Sequence, residues 1–176
     1  MHGVTANEFT HGARPISDIA TNIIGIVATA DDADATVFPA NKPIFSTSVS
    51  ALIDKAGTKG TLAKSLDAIA AQADAQIVVV RVPASTKANE QKANVIVGAK
   101  ALAKAHTGFK PKIIGAPELD DAEVTAELVV AANVLEGFVY ASAGGAEEIS
   151  ALTSYKNGFG QKNLMLVDNE CMTLGA

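Results

Sequence analysis

There is no tryptophan in this chain, a single cysteine, and only 5% aromatic residues. The lone Cys171 has no cysteine partner for an internal disulfide, which points to a reducing compartment. Few rings mean few platforms on which bases or sugars stack. Positive charge is also short: 14 Lys and Arg stand against 19 Asp and Glu, for a net charge of −5 and a pI near 5.1. Nucleic-acid affinity comes from clustered cations, and the basic residues here are scattered, so no nucleic-acid partner is expected. No apolar run reaches the roughly eighteen residues that mark a membrane-spanning helix. The opening Met1-His2-Gly3-Val4 lacks the basic and then apolar order of a secretory signal, and no membrane partner is expected.

What is present is a globular composition, 48% hydrophobic and 19% charged over 176 residues, enough for one ordinary domain with a core. The first stretch differs from the rest. Val4-Thr5-Ala6-Asn7-Glu8-Phe9 alternates loosely, and Gly12-Ala13-Arg14-Pro15 interrupts any regular element, so residues 1–21 are expected to form an extended arm. From residue 22 to 176 the pattern is that of an α/β domain. Continuous apolar runs at 23–28, 77–82, 112–116, 137–141 and 163–167 read as strands covered on both faces. Amphipathic segments lie between them. Thr61 is placed to cap a helix carrying Leu62, Leu66, Ile69, Ala70 and Ala73, while Val95, Ala99, Leu102 and Ala103 form a second stripe. Asp120 or Asp121 caps a third helix through Glu136, and a shorter one covers 147–155. The alternation predicts a mainly parallel sheet flanked by helices, a Rossmann-like three-layer α/β fold with an extended N-terminal arm. After 163–167 no further element is visible, so that strand is either an edge or the end of a shortened sequence.

Such sheets take ligands beyond the carboxyl ends of their strands, but the residues there are poor in chemistry. Gly57-Thr58-Lys59-Gly60-Thr61 lacks the Gly-Lys-Ser/Thr order of a phosphate cradle and follows a helix, so a helix–helix turn is the expectation. Gly144-Gly145 has no Gly-x-Gly-x-x-Gly spacing and reads as a flexible turn. Asp31-Asp32-Ala33-Asp34 lacks the glycine and distal glutamate of a calcium loop and reads as a solvated loop. His2, His11, His106 and Cys171 lack metal-ligand spacing, and Asp168 has no base or nucleophile beside it. Neither a cofactor, a metal nor an enzymatic activity is expected.

A different set of residues is informative. His2-Gly3-Val4-Thr5, Gly12-Ala13-Arg14-Pro15-Ile16 and Ile23-Ile24-Gly25-Ile26-Val27 resemble the opening of tail sheath proteins of the P2-like phage and R-type pyocin group. The resemblance continues through Phe38-Pro39-Ala40-Asn41-Lys42-Pro43, Gly60-Thr61-Leu62, Ile77-Val78-Val79-Val80-Arg81-Val82, Ala116-Pro117 and Lys162-Asn163-Leu164-Met165-Leu166-Val167-Asp168. It implies a structural subunit that assembles helically around a tail tube and contracts to drive that tube through a host envelope. Its partners are then other sheath subunits, the tube and the baseplate, with Val4 to Phe9 as the inter-subunit arm strand and Gly12, Arg14 and Pro15 as the arm hinge. Family members are about twice this long, so the resemblance also implies that the C-terminal tube-contacting domain is absent and that the fragment alone is monomeric. Assembly in the host bacterial cytoplasm, and residence in a virion tail or released tail-like particle, follow from the same likeness. The alternatives are another tail or baseplate component, or a small-molecule-binding enzyme on a Rossmann-like sheet.

Overall fold

The computed structural model describes residues 23–104, 108–143 and 149–167. The expected arm and its hinge, Val4 to Phe9 with Gly12, Arg14 and Pro15, lie outside the described residues, as do Gly144-Gly145 and Asp168.

The described chain forms an α/β unit around a mixed six-stranded sheet flanked by helices. In chain order its elements are β1 (Ile24–Thr29), β2 (Pro43–Ser46), α1 (Ser50–Ile53), α2 (Leu62–Ala70), β3 (Ile77–Val82), α3 (Ala88–Ala103), β4 (Ile113–Gly115), α4 (Ala122–Leu135), β5 (Phe138–Ser142), α5 (Ile149–Asn157) and β6 (Leu164–Val167). Across the sheet the order is β2-β3-β1-β4-β5-β6. Four of the five pairings are parallel; β2 alone runs antiparallel, to β3.

The five apolar runs all become strands, within a residue or two of the expected bounds. The sixth, β2, was not expected. It is four residues long, half-buried, and begins at Pro43, whose missing N–H suits the start of an edge strand.

Two cores flank the sheet. Val27, Val78, Val80 and Val82 face α3 and α4, which contribute Val95, Ala99, Leu102, Val124, Leu128 and Leu135. On the other side Ile26, Ala28, Ile77 and Val79 meet Leu52, Leu62 and Leu66 of α1 and α2, with Phe38 and Val49 closing the layer. Helix α3 lies close against the sheet at Gly98, where an added Cβ would lie 2.5 Å from Val82 Cγ1 and 2.6 Å from Val27 Cγ1.

Local chemistry fixes the helix ends. Asp121 caps α4, its carboxylate accepting from the N–H groups of Glu123 and Val124 at 2.9 Å each. Asp120, the other candidate cap, instead accepts from the Ser142 N–H and ties the end of β5 to the start of α4. Lys112 Nζ donates to the carbonyls of Leu135 at 2.9 Å and Glu136 at 3.1 Å, placing a cation at the negative end of α4. Thr61 stands at the N-cap position of α2 without capping it, and α2 stops at Ala70, leaving Ala73 exposed beyond its end.

The expectation of strands covered on both faces holds for β1 and β3 but not for β4, β5 and β6. Helices α3 and α4 share one core, and α5 is tied to α4 by the 3.3 Å Thr125 Oγ1–Tyr155 Oη contact, so all three lie on one side. Helices α1 and α2 cover only the β1–β3 half of the other.

Candidate functional site: bonded strand ends and an open sheet face

A parallel α/β sheet offers its ligand crevice where the chain reverses its winding direction. Here β1 is followed by β3 on one side and by β4 on the other, so the crevice lies at the carboxyl ends of β1 and β4. At the carboxyl end of β1 the chain bonds to itself. Thr29 and Thr61 bond reciprocally: the Thr29 N–H donates to Thr61 Oγ1 at 3.2 Å, and the Thr61 N–H donates to the Thr29 carbonyl at 3.0 Å. This explains why the Thr61 hydroxyl does not cap α2. Gly60, at φ +90°, makes the approach possible, since a Cβ there would sit 2.3 Å from the Thr29 carbonyl oxygen. Arg81 holds the following loop down, donating through Nε to the Phe38 carbonyl at 2.7 Å and through Nη1 to the Ala30 carbonyl at 2.9 Å. Across the mouth, Lys64 and Glu118 form an exposed 3.5 Å ion pair.

The acidic run and the glycine-rich turn turn out to be partners. The Asp32 carboxylate accepts from the Thr58 N–H, the Thr58 hydroxyl and the Lys59 N–H, each at 2.9 Å. These bonds, led by the backbone N–H of Thr58 and then of Lys59, hold its pKa down at about 2. The loop examined as a phosphate cradle therefore binds an anion belonging to the protein. Asp34 accepts from the N–H and hydroxyl of Thr36, which lower its pKa, and Asp31 accepts from the Ala84 N–H at 3.2 Å. The acidic run is a loop, as expected, with Asp31 and Asp32 exposed and Asp34 half-buried, and each carboxylate also fastens a turn. The Asp34-Ala35-Thr36 spacing was a readable signal for one of these bonds; the long-range bonds of Asp31 and Asp32 had none.

The other notable surface is apolar. On the face of β4, β5 and β6 turned away from α3 and α4, Ile113, Tyr140, Met165 and Val167 are exposed, Tyr140 by 45% and Met165 by 50%. The register makes them one strip: Ile113 pairs with Phe138, Tyr140 with Met165, and Ser142 with Val167, while the rings of Phe138 and Tyr140 lie 5.3 Å apart. Round the edge of β6, a groove of about 550 Å³ opens between β6 and α5, lined by Ile149, Leu152, Phe159, Leu164 and Leu166 and reaching Met165. Helix α5 buries none of its residues, and Ile149 is 80% exposed. No local signal announces this, because an apolar run looks the same whether this chain or another segment covers it.

Residues 21–82 match the family described as tail sheath protein Gp18, domain III N-terminal region. Over 94% of its length the chain is 42% identical to the tail sheath protein of Escherichia phage P2, and over 95% it is 37% identical to the major tail sheath protein of Serratia phage KSP20. The sheath resemblance read from the sequence therefore holds: over nearly its whole length the chain is similar to the tail sheath proteins. It spans about half the length of these relatives, 46% in both cases. A chain in the contracted-state baseplate structure of the anti-feeding prophage shares the fold, with a TM-score of 0.62 at 16% identity over 96% of this chain and 47% of that one.

Proposed function

We propose that the chain is part of a structural subunit of a contractile tail or tail-like particle, a sheath component that works mechanically and not as an enzyme. The observation that carries this reading is the 42% identity to the phage P2 tail sheath protein across nearly the whole chain. The strand ends agree with it: at the carboxyl ends of β1 and β3, Thr29, Thr61 and Arg81 are engaged in bonds within the chain, and Gly60 lies against Thr29. A Rossmann-like scaffold here carries load instead of a cofactor.

In this reading residues 1–21 are an arm and 22–176 an α/β sheath domain. Val4 to Phe9 pair with a neighbouring subunit through main-chain hydrogen bonds, an interaction that tolerates a loose sequence. Gly12 gives the arm freedom while Pro15 fixes φ next to Arg14, setting the exit direction. Contraction is the exchange of one set of subunit interfaces for a more stable set, so it needs neither nucleotide nor metal. Neighbouring sheath subunits, the tube and the baseplate are the partners, and the tail is where the protein resides once assembled in the host cytoplasm.

The test is electron microscopy of a chimera in which this chain is joined to the part of the phage P2 sheath protein beyond the matched region. Long striated tubes are expected, and deletion of residues 1–21 should abolish them while leaving the melting transition in place. Rings or monomers under all conditions would overturn the sheath reading in favour of another tail component.

A further inference from the structure

The exposed strip of Ile113, Tyr140, Met165 and Val167 crosses three strands of a sheet whose other half is covered on both faces. Among the described residues, every helix after β3 lies on the opposite face, so no described helix between β3 and β6 covers the strip. β6 is both the last described strand and the sheet edge, and the groove beside it leaves Leu164 and Leu166 only half-buried. The relatives contain about as much chain again outside the matched region.

We propose that the strip is an interface inside the complete subunit, covered by polypeptide that follows β6. Size distinguishes this occupant from a second copy of the chain. Two strand spacings of about 4.8 Å by four residues of about 3.3 Å give a patch on the order of 130 Å². A stable protein–protein contact buries roughly 800 Å² on each partner. A patch this small is too weak to hold a free partner but sufficient for a segment tethered a few residues away, whose effective concentration is set by the tether. The covering segment presents apolar side chains toward Tyr140 and Met165 and adds the missing layer over β4, β5 and β6. The proposal concerns the fold of the subunit and not its contraction, so it stands or falls separately from the sheath reading.

The test is maleimide labelling of Met165→Cys, with Cys171→Ser removing the native thiol and Val97→Cys, on an exposed position of α3, as the reference. Both are compared in the 176-residue chain and in the monomeric fraction of the phage P2 chimera. The Met165→Cys thiol should react like the reference in the 176-residue chain and be slowed at least about tenfold in the chimera, with the reference unchanged. Equal rates in both proteins would overturn the proposal. So would protection already present in the 176-residue chain, whether lost on dilution, which identifies a second copy, or lost on deleting residues 1–22, which identifies the preceding segment. As a second measurement, Tyr140→Lys should lower the melting temperature of the chimera and leave that of the 176-residue chain unchanged; no effect in either protein would count against an interface there.

Discussion

Asp32 shows how one exposed carboxylate can organise two distant turns. Its pKa is depressed to about 2 from an ordinary 3.8, so the stability it contributes is fully present above about pH 4 and is lost as the pH falls through 4 toward 2. Asp32→Asn should therefore lower the melting temperature at pH 7 and make the acid side of the stability profile shallower between pH 4 and 2, as thermal melts across that range would show. At Gly98 the decisive fact is distance. Alanine improves helix propensity by up to about 1 kcal/mol, but overpacking against the Val82 and Val27 methyls costs about 1–3 kcal/mol. Gly98→Ala should come out destabilised by about 1–2 kcal/mol, a fall of about 2–8 °C in melting temperature.

At the level of elements, α4 is the best anchored helix because both of its ends are chemically fixed. Burial alone would raise the Asp121 pKa, but the N–H of Val124, the Lys92 ammonium 3.0 Å away and the N–H of Glu123 outweigh it and leave the pKa lowered. Asp121→Ala should cost about 1–2 kcal/mol in chemical denaturation, and Asp121→Asn, which keeps the acceptor, only a fraction of that. The elements were largely legible in the sequence for the same reason: Asp121 before a helical repeat, and valine and isoleucine runs in β1 and β3, are strong local signals. β2 and α1 were not legible, being four residues each and held by contacts from afar. The exposed strip was illegible for a deeper reason. Tyr140 and Met165 declare an aversion to water, and nothing in a linear sequence says which segment relieves it. The Thr29–Thr61 pair at the end of β1 joins residues 32 positions apart, and neither neighbourhood hints at the other.

Across the whole molecule, protection from solvent is uneven. β1 and β3 are covered on both faces and paired over six positions, whereas β6 is half-exposed and α5 buries no side chain. Amide hydrogen exchange should be slowest in 24–29 and 77–82 and faster by at least about a hundredfold in 149–157 and 164–167. Uniform exchange across these segments would show that the outer edge does not open on its own.

The short strand β4 has a mechanical consequence. It joins β1 through three register positions and β5 through two, while β1 and β3 share six and β5 and β6 share four. The sheet thus has a waist. Tension applied across it from the β6 side meets its thinnest hydrogen-bonded cross-section at β4, where the packing of α3 against α4 is the second connection between the two halves. Separation of the two halves therefore has to break the α3–α4 packing as well as the few bonds of β4.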